Sequence, residues 1–367
     1  MNTILVTGGS GFIGRHVVEE LLQGGYRVHV LDAFLDQVHG DSQAEVPDGV
    51  RLIKGDVRDR ARVEEALEGV DAVIHLAAEV GVGQSMYEID RYVGCNDLGT
   101  AVLLQAMISR PVSRIVVASS MSVYGEGRYR SAGSECSSVA RSAERLRAGQ
   151  WDPVSPEGAE LEPVATDEEK PVDLASIYAL TKFVQERQCL LFAGAYPTEA
   201  VALRLFNVFG AGQALSNPYT GVLANFAARL SNGHAPTIFE DGLQRRDFVH
   251  VRDVARAFRL ALEKPAASGQ VINIGSGRSY TIRDVAHLLA EAMGVTGREP
   301  EILHKARAGD IRHCFADIAK ARDLLGFQPR HLLEDSLEPF VEWVRGNTAP
   351  DRGAEMRRQL EERGLVS

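Results

Sequence analysis

Cysteine is scarce in this chain, and what there is falls in no pattern. Cys95, Cys136, Cys189 and Cys314 are scattered through 367 residues with no CxxC pair. That spacing reads as reduced cytosolic thiols, not as a disulfide framework. Long apolar runs are missing too, since none reaches the ~18–20 residues that span a bilayer. Met1-Asn2-Thr3 leads straight into an apolar run, with no secretory signal visible. Positive charge is in deficit, with 40 Lys and Arg against 50 Asp and Glu. This balance argues against nucleic acid and anionic membranes as partners. It still permits an anionic ligand held by a local arginine cluster. No internal repeat is visible. The expectation is a soluble cytoplasmic protein, and 45% hydrophobic residues suffice for one large core or two packed domains.

What is present first is a glycine loop. Ile4-Leu5-Val6 is short, apolar and β-rich; Thr7-Gly8-Gly9-Ser10-Gly11-Phe12-Ile13-Gly14 follows; Val17, Val18, Leu21 and Leu22 then recur with helical period. This is strand, tight turn, helix. The glycines permit the turn, let backbone approach a pyrophosphate and let the helix pack on the strand. The helix N-terminus adds free N–H groups and a positive dipole end. Gly8, Gly11, Phe12, Ile13 and Gly14 are therefore candidate cofactor contacts. The next strand, Arg27–Leu31, ends at Asp32. A carboxylate there accepts hydrogen bonds from ribose hydroxyls and repels a 2′-phosphate, and Ala33-Phe34 supplies no arginine. The pattern favours NAD over NADP, the alternative being an ordinary strand-end cap. A third strand, Val50–Ile53, leads to Gly55-Asp56-Val57. Asp56 is read as an adenine contact, as the N-cap of a helix over Arg60–Leu67, or as both.

An apolar strand over Val70–Leu76 precedes Ala77-Ala78, small residues that allow close approach of the cofactor. Val57, Leu76, Ala77 and Ala78 join the cofactor set. Ser85–Ser109 reads as one helix carrying Asn96, also placed in that set, and Arg114–Ala118 as a strand closing on Ser119-Ser120. Strands this apolar, alternating with helices, predict an α/β Rossmann-type doubly wound parallel sheet. From Gly125 to Val172 the rhythm breaks into Gly, Ser, Pro and charge, with one short helical pattern over Val139–Arg147. A stretch so long and so poor in elements points to function.

Ser176-Ile177-Tyr178-Ala179-Leu180-Thr181-Lys182 then puts a tyrosine and a lysine four apart on one helix face. A cation near a phenol favours the phenolate, so Tyr178 is a candidate general base, with Ser120 and Lys182 completing the set. By itself the spacing is common, and the alternative is a solvated helix face. Beyond Leu205 the elements become shorter and mixed: a helix over Gly221–Leu230, a strand over Pro236–Phe239, a helix over Val251–Glu263, a strand over Gln270–Ile274 and a helix over Ile282–Met293. Arg246, Arg307 and Arg312 are candidates for clamping a second diphosphate, with surface ion pairing as the alternative for each. The expected organisation is a nucleotide domain over 1–205 with an insert near 126–172, an interleaved smaller substrate lobe over 206–349, and a charged tail from 350, ending in a helix over Glu355–Arg363 and left as a loose surface element.

Taken together, TGGSGFIG (7–14), Asp32, GDV (55–57), HLAA (75–78), SSMSVYG (119–125), YALTK (178–182), RLFNVFG (204–210), RRDFVHVRD (245–253), NIGSG (273–277), RAGD (307–310) and LGFQP (325–329) resemble the extended short-chain dehydrogenase/reductases, in their nucleotide-sugar epimerase/dehydratase branch. The resemblance runs from Met1 to about Pro329. It implies that Tyr178 is the base, that Ser120 bonds the sugar hydroxyl, and that Lys182 binds the nicotinamide ribose. It further implies that Asn207, Arg246 and Arg307 hold the substrate diphosphate. Thr237-Ile238-Phe239 would lie by the nucleobase, with Ser122 and Val222 also in the substrate set. Sugar 4,6-dehydratases carry an acidic pair where this chain has Met121 and Ser122, so elimination lacks its acid and base. Decarboxylases of the branch have Glu where Ser122 stands.

The remaining likeness is to 4-epimerases that invert C4 through a transient 4-keto sugar with tightly held NAD. Residues 212–221 and Ile238–Gly242 look like dTDP-L-rhamnose 4-epimerases, which interconvert dTDP-L-rhamnose and dTDP-6-deoxy-L-talose. Those proteins often carry cysteine pairs in the insert. Here only Cys136 stands, and one thiol builds no structural zinc site, so no metal is expected. Alternatives are a UDP-hexose or UDP-uronate 4-epimerase, a 4-ketoreductase, or a non-catalytic NAD-binding regulatory protein. A homodimer through the Ser85–Ser109 and Tyr178–Ala195 helices is implied by the resemblance as well.

Overall fold

Strands that are apolar on both sides must be covered on both faces, and that requirement organises the molecule. A computed structural model describes residues 2–39, 46–131, 134–136, 139, 141–215, 217, 219, 221–295, 297–347 and 351–366. Met1, Ala140 of the short helical pattern in the insert, three positions of the 212–221 stretch (Ser216, Pro218 and Thr220) and Pro350 at the start of the tail lie outside the described residues. The main strands are β1 (Thr3–Thr7), β2 (Arg27–Asp32), β3 (Val50–Lys54), β4 (Ala72–His75), β5 (Arg114–Ser120), β6 (Glu199–Leu205) and β7 (Val271–Ile274). They pair throughout in parallel, in the order β7-β6-β5-β4-β1-β2-β3. The chain reverses direction across the sheet between β1 and β4, where the crevice of a doubly wound sheet takes its ligand.

The principal helices are α1 (Phe12–Gln23), α2 (Arg60–Ala66), α3 (Gly99–Ser109), α4 (Ile177–Ala195), α5 (Val222–Ser231), α6 (Val251–Glu263), α7 (Ile282–Ala292), α8 (Leu333–Gly346) and α9 (Gly353–Glu362). Alternate residues of each strand face opposite sides. Ile4 and Val6 pack with Val17, Val18 and Leu21 of α1 and Phe258 of α6. Leu5 and Val73 pack instead with Leu103 and Met107 of α3 and Cys189 and Phe192 of α4. A further cluster joins α5, α7 and α8 through Phe226, Leu289 and Phe340 and forms the smaller lobe. The sheet does not close at residue 205, because β7 and α6 return to it from the second half of the chain.

Three segments differ from expectation. The insert holds more than the one helical pattern expected: Arg128–Ser131 pairs antiparallel with Ser134–Cys136 and with Glu162–Val164, beside the short helix, which spans Ala143–Arg147. Ser85–Ser109 is not one α-helix. It is broken into Ile89–Tyr92, a π-helical stretch Val93–Leu98, and α3. Such π segments recur at functional sites because the extra residue re-aims side chains. The tail is not loose, since α9 buries Met356 and Leu360.

One buried ion pair fixes α4 to the sheet. Glu186 on α4 accepts from Arg204 Nε at 2.9 Å and Nη2 at 2.7 Å, and from Ser119 Oγ on β5 at 2.7 Å. Glu186 is 1% exposed and Arg204 5%. Arg204 also stacks on Tyr124 at 4.7 Å. Removing one partner of such a pair leaves an uncompensated buried charge, which costs about 3–5 kcal/mol. Urea unfolding of Glu186→Ala is therefore expected to show a loss of that order. The double substitution Glu186→Leu with Arg204→Met should recover most of it; an additive double loss would show that the pair is not the fastening.

Candidate active site

A cavity of about 1120 Å³ lies between the carboxyl ends of the strands and the smaller lobe. Its walls include every site residue expected from the sequence except Asn96 and Arg312. Asn96 is fully buried behind the wall. Its Oδ1 accepts from Glu79 N at 2.7 Å, and its Nδ2 donates to Glu79 O at 3.1 Å and to Thr181 Oγ1 at 2.9 Å. The π turn aims Asn96 at these partners, so it positions the loop after β4 against α4.

The dinucleotide end is built from backbone. Gly8 sits at φ +70°, where a Cβ would lie 2.9 Å from Ala77 N. A Cβ on Gly14 would come within 2.1 Å of Gly8 O. Gly11 caps α1 without a side-chain acceptor, and the first turn carries no acidic residue. The N–H groups there remain for an anion, and the dipole favours one. Asp32 Oδ2 accepts from Ser10 N and Oδ1 from Phe34 N, each at 2.9 Å, which fixes the carboxylate at the wall. Asp56 also lines the cavity, but Asp59 is the cap of α2. Asp56 is instead gripped by Arg58 Nε at 2.9 Å and Nη2 at 2.7 Å, and that bond holds its carboxyl below the usual range. Arg58 is a wall residue that the sequence pattern does not single out. Leu76, Ala77, Ala78 and Val57 complete this wall. The cradle accepts NAD: glycines where a Cβ would clash, unclaimed helix-end donors and an aimed acidic side chain.

The reacting end is built by α4 and β5. Ser176 caps α4 by accepting from Ala179 N at 3.1 Å, and Ser85 Oγ accepts from Tyr178 N at 3.0 Å. These bonds set the first turn, which carries Tyr178. Ser120 ends β5 and accepts from Ser122 N at 3.2 Å and Ser122 Oγ at 3.0 Å. Burial raises the Tyr178 phenol above its ordinary value, and its bond to Ser120 pulls it back down. Lys182, one turn further along α4, lines the same cavity. Its Nζ donates to Gln185 Oε1 at 2.6 Å, deeper in the helix interface. Gln185 Nε2 continues to Thr100 Oγ1 at 2.9 Å and to His75, whose Nδ1 meets Thr7 Oγ1 at 2.7 Å. Burial depresses Lys182 to about 8 and His75 to about 3, so the imidazole is a neutral link.

The substrate-side candidates come from the smaller lobe. Arg246 lines the cavity and donates Nη1 to the carbonyls of Arg245 and Arg312, each at 2.9 Å, and Nη2 to that of Ile311. Arg307 lies over the Phe239 ring at 4.6 Å and pairs with Asp310 through Nε at 2.8 Å. Asn207 Oδ1 is buried without a hydrogen-bond partner. Gln213, inside the 212–221 stretch, and Gln244, which no motif points to, also line the cavity and each bury an unpartnered Oε1. Arg312 does not reach the cavity. It is wholly buried and bound to Asp152, Glu240 and Asp241. Charge on a short loop could not reveal that; the acids that claim it lie 71 to 160 residues away in sequence. The tail departs from expectation here too, since Met356, Arg357 and Arg358 of α9 line the cavity.

Residues 4–275 match the model of the NAD dependent epimerase/dehydratase family. The dTDP-L-rhamnose 4-epimerase of Burkholderia thailandensis is 34% identical over 93% of this chain and 94% of its own length. Among solved structures, MoeE5 in complex with UDP-glucuronic acid and NAD is 32% identical, with a TM-score of 0.75 over 94% of this chain and 99% of that one. The UDP-glucose 4-epimerase of Thermus thermophilus in complex with NAD is 31% identical, with a TM-score of 0.75 over 94% of this chain and all of that one. A glycine cradle for a dinucleotide, a Ser–Tyr–Lys set at its inner end and this likeness along nearly the whole length lead to one conclusion: the chain belongs to the NAD-dependent epimerase/dehydratase family.

Proposed function

We propose that this protein is an NAD-dependent nucleotide-sugar 4-epimerase, and that its sugar nucleotide is a dTDP-6-deoxyhexose of the dTDP-L-rhamnose/dTDP-6-deoxy-L-talose pair. The observation that carries the reaction type is that Ser120, Tyr178 and Lys182 line one cavity together with Arg246 and Arg307 of the smaller lobe. When bound, NAD supplies a hydride acceptor and donor at C4. The chain's own residues do the rest. Tyr178 Oη takes the proton of the C4 hydroxyl and later returns one, and Ser120 orients that hydroxyl. Asn207, Arg246 and Arg307 hold the diphosphate while the flat 4-keto sugar turns. Binding energy from the nucleotide thus orients the reacting centre. Where a dehydratase needs a carboxyl beside Ser120, Met121 packs into an apolar cluster and Ser122 bonds back to Ser120. The similarity to the Burkholderia protein supports the dTDP sugar; the likeness to MoeE5 with UDP-glucuronic acid and to the Thermus UDP-glucose 4-epimerase supports a UDP-hexose or UDP-uronate as the second reading.

We also propose a homodimer. Leu98 and Leu191 are 54% and 64% exposed, with Ile89 and Leu180 also uncovered on the Ile89–Ser109 stretch and α4. These are the two elements expected to meet a second copy. Among the described residues no helix is long and apolar enough to cross a membrane.

Tyr178→Phe should lower turnover by about 10²–10⁴-fold, the usual scale for a general base, while the purified protein keeps its NAD. Incubation with dTDP-L-rhamnose, UDP-glucose and UDP-glucuronate without added cofactor, followed by NMR, identifies the substrate. A single C4 epimer from the dTDP sugar is expected, and an epimer from a UDP sugar alone would replace the dTDP assignment.

Lys182 gives a test on stability. Its folded pKa of about 8 lies below the ordinary 10.5. Between those values the unfolded chain binds more protons, so stability rises with pH through the window, and below it the buried ammonium is a standing cost. Lys182→Met in cofactor-free protein should be more stable at pH 7 by on the order of 1–2 kcal/mol, with the gain gone by about pH 10.5, while NAD retention falls. Calorimetric melts across that range check it; equal melting at pH 7 would mean that the cation costs nothing.

A further inference from the structure

The smaller lobe supplies two arginines to the diphosphate end, and both are heavily engaged. Arg307 is neutralised by Asp310, and Arg246 directs three donors to carbonyl groups. A nucleoside diphosphate brings strong negative charge into that space, since a terminal phosphate alone carries about −1.5 to −2 at pH 7. A less committed cation is available on α9. Arg358 lines the same cavity, its side chain is 69% exposed, and its carboxylate partner, Glu362, stands 3.9 Å away. Arg357, one residue earlier, is committed to Glu361 at 3.2 Å and faces Glu301 at 3.7 Å. Glu301 is the register partner of Thr237, beside the expected nucleobase contact Ile238.

The path of α9 matters as much as its charge. It begins beside α5, where Asp351 pairs with Arg229 at 3.2 Å. It ends against the dinucleotide side, where Leu360 would touch a Cβ on Gly83 at 3.3 Å. Tyr219 Oη donates to Gln359 Oε1 at 2.8 Å and also meets Tyr87 Oη, which joins the two sides of the cleft through the helix. Beyond α9 the chain returns to the diphosphate end: Ala308 N donates to Leu365 O at 2.9 Å, and Val366 bridges to Arg307. The fastening consists of one shielded ion pair, Arg229 with Asp351, otherwise solvent-facing ion pairs, a few hydrogen bonds and two well-buried apolar side chains, Met356 and Leu360. Segments held this way open at far lower free energy than a core.

We propose that α9 is a strap over the nucleotide end of the cleft, which opens to admit a nucleoside diphosphate, closes upon it and adds Arg358 to the cations around its diphosphate. This rests on the sugar-nucleotide reading above and deepens it by assigning the strap as part of the nucleotide site. Met356 and Arg357 then form the roof over the nucleobase, and the binding wall is completed by a segment far in sequence from the catalytic set.

The test uses the NAD-loaded full chain, a variant ending at Asn347, and Arg358→Ala, with dTDP and UDP as probes. Titration calorimetry should show the truncated protein binding the preferred nucleotide at least tenfold more weakly, with its NAD content unchanged. Arg358→Ala should weaken binding threefold to tenfold at an unaltered melting temperature, and Arg358→Lys should recover part of the loss. Hydrogen exchange of residues 353–362 in the full chain should slow when the nucleotide binds. If the truncated protein does not fold, Arg358→Ala and the exchange measurement decide alone. Equal affinity in the full chain and Arg358→Ala, with exchange of α9 unchanged, would overturn the strap and leave the epimerase reading standing. Binding of neither nucleotide to the full chain would overturn both.

Discussion

The bidentate pair between Glu186 and Arg204, shared with Ser119, is the constraint on which the reacting end depends. Ser120 stands one residue beyond Ser119 on β5, Lys182 one helical turn before Glu186 on α4, and Asn207 three residues after Arg204. A single buried contact thus fixes the relative positions of three segments that carry site residues. In a buried setting the pair tolerates little displacement, because each charge left without its partner is costly. The carboxylate spans both guanidinium nitrogens and the serine hydroxyl, so α4 can neither slide nor rotate without breaking at least one bond.

From that fixed point the site is assembled by relays, not by direct contact. Lys182 is aimed by Gln185, which leads to Thr100 and His75, and through His75 to Thr7 at the end of β1. The catalytic and dinucleotide ends are therefore mechanically continuous. Several residues in the family motifs belong to this scaffolding. Asp247, wholly buried in the RRDF stretch, accepts from Ser276 N at 2.6 Å and Gly277 N at 2.8 Å and so fastens one motif to another. Asp253 does the same for the chain at Arg330 and His331. Asn273 accepts from Tyr124 Oη at 2.7 Å. A motif in sequence is a mixture of groups that meet ligand and groups that hold those groups still.

The insert is fastened by charge. Arg141 bonds Glu126 and Glu240, while Arg312 bonds Glu240, Asp241 and Asp152, and His313 closes on Asp152 at 3.1 Å. Glu240 serves both arginines from a backbone at φ +56°, a conformation that costs a non-glycine residue roughly 1–3 kcal/mol and persists only where surroundings enforce it. The network ties the insert to the smaller lobe next to the strand bearing Ile238, so it frames the substrate end without lining it.

The sequence by itself determined the elements whose cause is local. Glycine spacing after β1, apolar strands, the acidic end of β2 and the Tyr–Lys helix each follow from conformational freedom, periodicity or charge within a few residues. The parallel doubly wound sheet and the glycine, acidic and Ser–Tyr–Lys parts of the cavity wall were legible for that reason. Only the tertiary structure decided what depends on partners far along the chain. Arg312 reads as an anion clamp until three distant acids claim it, and the partners that hold Asn96, Glu79 and Thr181, show only in the fold. Lys182 is placed on the Tyr178 face by spacing alone, but the partner that aims it, Gln185, shows only in the fold. The charged tail reads as a loose end until Leu360 finds Gly83. Local patterns fix what a residue is able to do; burial and long-range pairing fix which of those things it does.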